Sequence, residues 1–275
     1  MRLITIILGL IFAWLWGSCH GCSTKNHDSE IKLGVMSGPE NELMETVKAV
    51  AKERYDLSIK LVVFNDYMTP NIALNDHSID ANAFQHEPFL DEMVKSHKFK
   101  LMSAGKTFLF PLAAYSKKIR DVKDVPMNAT VAIPNDPTNE GRALLLLARQ
   151  GLIELKDPNY LFSQAKDISK NPLHLKITEL EAAQLPRVLD DVTMAIINTT
   201  FAQGAGLSPK KDGLFVEGRD SRYVNIIAVR EEDRDAPWVE KLVKSVENAR
   251  VLEAAEKIFN GGVIAGWAVK DRADD

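Results

Sequence analysis

The sequence predicts an α/β fold of two compact lobes. Strand-like and helix-like segments alternate from residue 31 onwards, an order that is typical of sheets covered by helices. A β-rich run returns late in the chain and no Gly/Ser-rich linker separates its two halves, so we expect two lobes joined by short crossings. With 275 residues, of which 45% are hydrophobic, the chain can bury a large core without a disulfide or a metal.

The first lobe begins with strands and helices in alternation. Residues 31–35 are predicted as a strand, and the apolar spacing after Gly38 predicts a helix with Leu43 and Val47 on its buried face. The next predicted elements are a strand over 57–64, a short helix over 71–75, a strand over 79–84 and a helix over 88–96. This order predicts a mostly parallel sheet with helices on both faces.

The second lobe is predicted to start near Tyr115. Its elements are strands over 130–133, 173–180 and 194–197 and a helix over 139–150, which Thr138 would cap. A strand over 223–229 then returns to the first lobe, followed by helices over 237–245 and 251–259. We therefore assign 31–110 and 226–275 to lobe 1 and 111–225 to lobe 2. Ligands of such sheets bind beyond the carboxyl ends of the strands.

The N-terminal segment resembles the leader of a bacterial lipoprotein. A positive residue precedes an apolar run over 3–16, which is shorter than the roughly 20 residues that span a bilayer. Small residues stand directly before Cys19, so we predict a signal peptide over 1–18, lipidation of Cys19 and a polar tether over 19–30. Cys22 is the alternative lipidation site, and an ordinary signal peptide is the alternative interpretation.

Composition and motifs argue against an enzyme, a metalloprotein and a nucleic-acid-binding protein. The formal net charge is −4, which lacks the basic excess that phosphate binding requires. The sequence has no nucleophile elbow, zinc-protease or Walker A motif. His77, His86 and His97 are spaced unlike any common zinc site. We therefore expect no catalytic residue, no cofactor and no metal.

Aromatic and polar side chains follow the predicted strands of the first lobe. Tyr67 comes after one strand, and Phe84, His86 and Phe89 lie at and after the next. An apolar slot with a few polar groups is typical of a small-ligand pocket. Ordinary core packing combined with turn residues would give the same pattern, so both interpretations stay open.

Arg142 and two asparagines are the polar candidates of the second half. Arg142 lies about one turn into a helix whose N-terminus disfavours a cation, so it either faces solvent or binds something negative. A guanidinium can hold a carboxylate with two parallel hydrogen bonds. Asn198 and Asn225 stand at or inside apolar strands, where Asn is disfavoured. Each is either a hydrogen-bonded structural amide or an amide directed into a cleft.

Six blocks within residues 31–267 resemble the NlpA lipoprotein family, and within it the methionine-binding lipoproteins that serve a methionine ABC importer. The blocks are FNDYMTPN, DANAFQHEPFLD, PNDPTNEGR, INTT, YVNI and FNGGVIAGW. The resemblance implies a type II periplasmic-binding-protein fold, in which two α/β lobes close on a free amino acid in the cleft between them.

The resemblance also implies a set of ligand-binding residues. They are Tyr67, Phe84, His86, Phe89, Arg142, Asn198 and Asn225. The four residues of lobe 1 would line the slot for the ligand side chain. The arginine would hold the ligand carboxylate, and Asn225 would bind the backbone end of the ligand. Phe89 stands where Tyr is common in the family, which leaves the identity of the ligand open.

The function implied is that of a substrate-binding lipoprotein and not of an enzyme. We expect it to bind L-methionine, with D-methionine left open, and to deliver it to the permease and its ATPase. The alternatives are a receptor for another small amino acid or a methionine-containing dipeptide, and a surface lipoprotein without a transport role. The body would lie in the periplasm, or elsewhere outside the cytoplasm of a bacterial cell, lipid-anchored to a membrane of the envelope.

Overall fold

The computed structural model describes residues 30–267, which form two lobes, each built on its own β-sheet. The predicted signal peptide, Cys19, Cys22 and most of the predicted tether lie outside these residues. Within the described range, no helix has the length and apolar character needed to cross a bilayer.

Lobe 1 begins with the predicted alternation of strands and helices. Its first elements are β1 (Ile31–Met36), α1 (Pro39–Tyr55), β2 (Ile59–Phe64), α2 (Thr69–Asn75), β3 (Ala81–His86), α3 (Glu87–His97) and β4 (Leu101–Leu109). The predicted elements before β4 are confirmed, with small shifts at their ends. Each of the three helices has a proline in its first turn, where the missing N–H costs no hydrogen bond.

Lobe 2 lies between two crossings over residues 110–112 and 217–223. Its elements are β5 (Ala113–Tyr115), β6 (Thr130–Pro134), α4 (Pro137–Arg149), β7 (Glu154–Leu155), β8 (Ile168–Lys170), β9 (Lys176–Leu180), β10 (Met194–Ile197), α5 (Thr199–Gly204), α6 (Pro209–Asp212) and β11 (Phe215–Val216). The chain then returns to lobe 1 with β12 (Val224–Arg230), α7 (Pro237–Val246), α8 (Ala249–Ile258) and β13 (Ile264–Ala265).

Both large sheets are mixed, so the prediction of a mostly parallel sheet is wrong. The strand order is β13-β4-β12-β3-β1-β2 in lobe 1 and β11-β5-β10-β6-β9 in lobe 2. Strand β1 is parallel to β2 and β3, and β6 is parallel to β9 and β10. Every antiparallel pair of these two sheets contains β4, β5 or β12, which adjoin the crossings. Antiparallel pairing needs no crossover helix, so strands that arrive from the other lobe can pair in this way.

Each lobe has its own hydrophobic core. In lobe 1, α1 packs against the sheet and against α7 and α8, and the predicted core positions Leu43 and Val47 are fully buried. In lobe 2, α4 packs against β6 and β10 through Leu144 and Leu147. Burying one such side chain contributes about 1.5–3 kcal/mol, so each core stabilises its own lobe.

Asp136, not Thr138, caps helix α4. The Oδ1 atom of Asp136 accepts a hydrogen bond from the backbone N–H of Asn139 at 2.9 Å. Thr138 lies inside the first turn, and its hydroxyl donates to Asp136 at 3.0 Å. The prediction of Thr138 as cap is wrong because Pro137 takes the first helical position and moves the cap to the residue before it.

Candidate ligand-binding site

A cavity lies between the lobes, and all seven residues predicted to bind a ligand line it. Tyr67 precedes α2, Phe84 and His86 lie in β3, Phe89 lies in α3, Arg142 lies in α4, Asn198 precedes α5 and Asn225 lies in β12. The cavity has a volume of about 20 Å³, little more than one water molecule needs. The lobes are therefore closed beyond the point at which a free amino acid fits, so they must move apart both to admit and to hold one.

Aromatic rings form one wall of the cavity. The ring centroids of Tyr67 and Phe84 are 5.9 Å apart, and those of Phe84 and Phe89 are 6.1 Å apart. Phe201 of lobe 2 reaches across to within 4.9 Å of the Tyr67 ring. Rings at these distances pack favourably and leave flat apolar faces for an unbranched side chain. The Tyr67–Phe201 contact also joins the two lobes beside the cavity.

His86 is a neutral side chain that joins the two lobes. Burial, together with the nearby Arg142 cation, lowers the pKa of its imidazole to about 3. Its Nδ1 atom accepts a hydrogen bond from the Phe89 backbone N–H at 3.2 Å, which leaves the proton on Nε2. Nε2 lies 3.4 Å from Oδ1 of Asn139 in lobe 2. The closed form therefore has a neutral donor, not a cation, at this point.

The two predicted asparagines each have a bonded amide nitrogen. Nδ2 of Asn198 donates to Oδ1 of Asn139 at 2.9 Å, and Nδ2 of Asn225 donates to the Phe84 carbonyl at 2.9 Å. Oδ1 of Asn198 is buried and accepts no hydrogen bond from the described residues. A buried acceptor without a partner costs about 1–3 kcal/mol, so this oxygen is well suited to receive a donor from a ligand.

Arg142 is buried and already paired with a carboxylate of the protein. Its Nε donates to Oε1 of Glu217 at 3.0 Å, and its Nη2 donates to Oε2 of Glu217 and to the Phe110 carbonyl, the latter at 2.9 Å. The Tyr223 ring covers the guanidinium at 4.6 Å. The exposed fractions of the two charged side chains are 4% and 6%.

The pairing answers the question that the sequence left open about Arg142. The arginine faces something negative, but the two parallel hydrogen bonds that we expected for an external carboxylate are made with Glu217. Nη1 is the guanidinium nitrogen that makes no hydrogen bond within the described part of the chain. A ligand carboxylate would therefore meet Nη1 of the arginine and not its bidentate edge.

Six further residues of the site were missed in the sequence: five line the cavity and one lies behind Arg142, namely Gln85, Phe110, Asn139, Thr199, Thr200 and Glu217. Asn139 and Thr200 line the cavity and belong to the PNDPTNEGR and INTT blocks, so their place in these blocks could have marked them as site residues. Phe110 lies at the first crossing and also lines the cavity. Glu217 lies 75 residues from Arg142, in a polar segment where no sequence pattern marks it.

The groups in the cavity are complementary to a free amino acid. An amide oxygen can accept from an ammonium group, and Nη1 of Arg142 can donate to a carboxylate. The aromatic wall can hold an apolar side chain between these groups and the lobe boundary. The lining thus combines hydrogen-bonding groups with an apolar wall, an arrangement suited to binding.

Residues 31–267 match the NlpA lipoprotein family. The D-methionine-binding lipoprotein MetQ of Salmonella typhi is 52% identical over 250 residues, which are 90% of this chain and 92% of that protein.

Two solved structures share the fold. A periplasmic substrate-binding protein of an ABC transporter from Coxiella burnetii has a TM-score of 0.84 and 47% identity, and the match covers 86% of this chain and 100% of that one. A nutrient binding protein from Burkholderia cenocepacia, solved bound to methionine, has a TM-score of 0.83 and 48% identity. That match covers 86% of this chain and 99% of the Burkholderia chain.

Proposed function

This chain belongs to the NlpA lipoprotein family, and we propose that it binds methionine as the substrate-binding lipoprotein of an ABC importer. It is not an enzyme. The MetQ relative is named for D-methionine, the Burkholderia structure holds methionine, and the Coxiella protein is part of an ABC transporter. The observation that carries the proposal is the unpartnered Oδ1 of Asn198, a residue that lines the same cavity as the arginine and the aromatic wall.

Each part of methionine has a complementary group in the cavity. The rings of Tyr67, Phe84 and Phe89 would pack on the thioether chain, and a sulfur–ring contact contributes about 0.3–1.5 kcal/mol. Nη1 of Arg142 would donate to the carboxylate. Oδ1 of Asn198 would accept from the ammonium, and the side chain of Asn225 would bind the same end of the ligand.

Closure of the lobes is the functional event of this mechanism. The ligand enters when the lobes are apart, and closure excludes water, which strengthens each polar contact with the ligand. The closed, loaded protein would dock on the methionine permease, and the ATPase of the importer would drive transport. We propose that a lipid on Cys19, or on Cys22, anchors the protein to a membrane of the bacterial envelope, with its body in the periplasm or otherwise outside the cytoplasm.

Native mass spectrometry of the purified protein tests the proposal directly. We expect a complex with one methionine, because a closed site of this kind releases its ligand slowly. Calorimetry with L-methionine, D-methionine and methionine-containing dipeptides after removal of the bound ligand then ranks the candidates. Binding of a different amino acid or a dipeptide alone would instead indicate a receptor for another small amino acid or a methionine-containing dipeptide. If the mass spectrum shows no bound ligand and calorimetry shows no heat of binding, the remaining hypothesis is a surface lipoprotein without a transport role.

A further inference from the structure

Glu217 contacts the candidate site from behind. It lines an outer cleft of about 250 Å³ on the far side of Arg142, which it shares with Arg149 and Tyr223, and it does not line the ligand cavity. Its carboxylate is fixed by the backbone N–H of Leu112 at 3.1 Å. Its own backbone N–H donates to the Leu112 carbonyl at 2.8 Å. The first crossing between the lobes therefore holds Glu217 in place.

Glu217 fixes the orientation of the Arg142 guanidinium and neutralises its charge. With Nε and Nη2 bonded, the guanidinium plane cannot turn, and Nη1 stays directed away from Glu217. The buried pair carries no net charge. Two further carboxyl groups lie behind the lining: Asp136 behind Asn139 and Glu40 behind Thr200. Among the described residues, the lining thus presents no uncompensated positive charge to a ligand.

We propose that Glu217 is a positioning and specificity-determining residue, which orients Arg142 and cancels its charge so that the cavity selects a zwitterionic amino acid over the anion of the matching hydroxy acid. The inference rests on the proposed function. A zwitterion brings an ammonium group that Glu217 attracts as well as a carboxylate that it repels. A hydroxy-acid anion brings the repelled carboxylate alone. Removing the negative charge of Glu217 should therefore weaken the preference for the zwitterion.

Calorimetry with two isosteric ligands tests this inference. We would measure the Kd for L-methionine and for 2-hydroxy-4-(methylthio)butanoate in the wild-type protein, Glu217→Gln and Glu217→Asp. The Kd for the hydroxy acid divided by the Kd for L-methionine should fall by about tenfold in Glu217→Gln, because the attraction between the Glu217 carboxylate and the ligand ammonium is lost. Glu217→Asp keeps the charge but shortens the side chain, so both affinities should weaken and the ratio should stay near the wild-type value.

The outcomes separate this inference from the proposed function. An unchanged ratio in Glu217→Gln, with both ligands weakened in proportion, would mean that Glu217 is only structural and would overturn the inference. An equal fall of the ratio in Glu217→Asp would overturn it as well. If Glu217→Gln does not fold, Glu217→Ser removes the same charge, admits water to the guanidinium and supplies the same ratio. A wild-type protein that binds no methionine would instead refute the proposed function.

Discussion

Thr200 in lobe 2 donates a hydrogen bond to the buried carboxyl group of Glu40 in lobe 1. Glu40 lies in the first turn of α1 and is 2% exposed, and burial raises the pKa of its carboxyl to about 7. Thr200 also lines the cavity, so this contact ties the lobes together beside the ligand. Moving the lobes apart would return the carboxyl group to water, where it ionises at its ordinary pKa.

We predict that Glu40→Gln changes how stability depends on pH. Because the pKa is raised from 4.5 to about 7 in the folded state, the folded protein binds more protons than the unfolded chain between these values. Glu40 therefore contributes its full stabilisation below the unfolded pKa and loses it as the pH rises through the folded one. Urea unfolding should show the wild-type protein losing roughly 2–3 kcal/mol relative to Glu40→Gln between about pH 5 and 8.

Glu42→Gln is the matched control for this experiment. Glu42 lies in the same turn of α1, but its side chain is exposed, so its removal should leave the pH dependence unchanged. If the difference in the free energy of unfolding between the wild-type protein and Glu40→Gln stays constant with pH, Glu40 is not a buried, protonated carboxyl group at the lobe boundary.

The elements of the fold could be predicted because their patterns are local. The spacing of Leu43 and Val47 marks one face of α1, and the prolines mark helix starts. Strand direction at the crossings could not be predicted, because it depends on which sheet a returning strand joins. All seven predicted site residues belong to blocks of aromatic, amide and cationic side chains at or near strand ends; Phe84, His86 and Asn225 lie within strands. The pairing of Arg142 with Glu217 arises only when the chain folds, since nothing in the sequence links positions so far apart.

We predict that Gly141→Ala destabilises the protein although it lies in a helix. Alanine normally stabilises a helix interior by up to about 1 kcal/mol relative to glycine. Here a Cβ atom at residue 141 would collide with the carbonyl oxygen of Leu161, so α4 must shift and the net effect should be a loss of about 1–3 kcal/mol. The shift would also move the neighbouring Arg142, so the affinity for methionine should fall too.

Gly204→Ala is the control for the glycine prediction, because nothing lies within 4 Å of a Cβ atom there. It lies at the end of α5, where alanine should leave stability unchanged or raise it. Thermal unfolding of the two variants should give shifts of opposite sign or at least a clear separation. Equal melting temperatures would show that α4 does not need the close approach to Leu161.

We predict that Asn198→Ala weakens methionine binding through the ammonium group. The buried Oδ1 of Asn198 has no partner in the described residues, whereas its Nδ2 donates to Asn139, so alanine removes the ligand acceptor together with one hydrogen bond inside lobe 2. The loss should be about 1–3 kcal/mol in calorimetry with methionine. The affinity for 4-(methylthio)butanoate, which has no ammonium, should change much less.

Asn171→Ala controls for the loss of a hydrogen-bonded, half-buried amide as such. Asn171 bonds both backbone groups of Leu175 in lobe 2 and does not line the ligand cavity, so its removal should lower stability without a selective effect on methionine. Equal losses for methionine and 4-(methylthio)butanoate in Asn198→Ala would show that Asn198 does not contact the ammonium.

We predict that Arg142→Met loses both methionine affinity and stability, whereas Arg142→Met/Glu217→Leu regains stability alone. Methionine keeps the apolar volume of the arginine but leaves Glu217 buried without its partner, which costs about 3–5 kcal/mol. Replacing both charges with apolar residues removes this cost, since a buried ion pair contributes little net stability. Both variants lack Nη1 and should lose about 2–5 kcal/mol of binding free energy.

Urea unfolding and calorimetry on the same samples separate the two roles of the arginine. If the double variant is no more stable than Arg142→Met, water reaches Glu217 in the single variant, and the carboxylate is not left buried without a partner. If either variant binds methionine as tightly as the wild-type protein, the carboxylate of the ligand does not meet Arg142. Recovery of stability without recovery of binding would show that the arginine has a direct role towards the ligand beyond its pairing with Glu217, because only the ligand contact is then still missing.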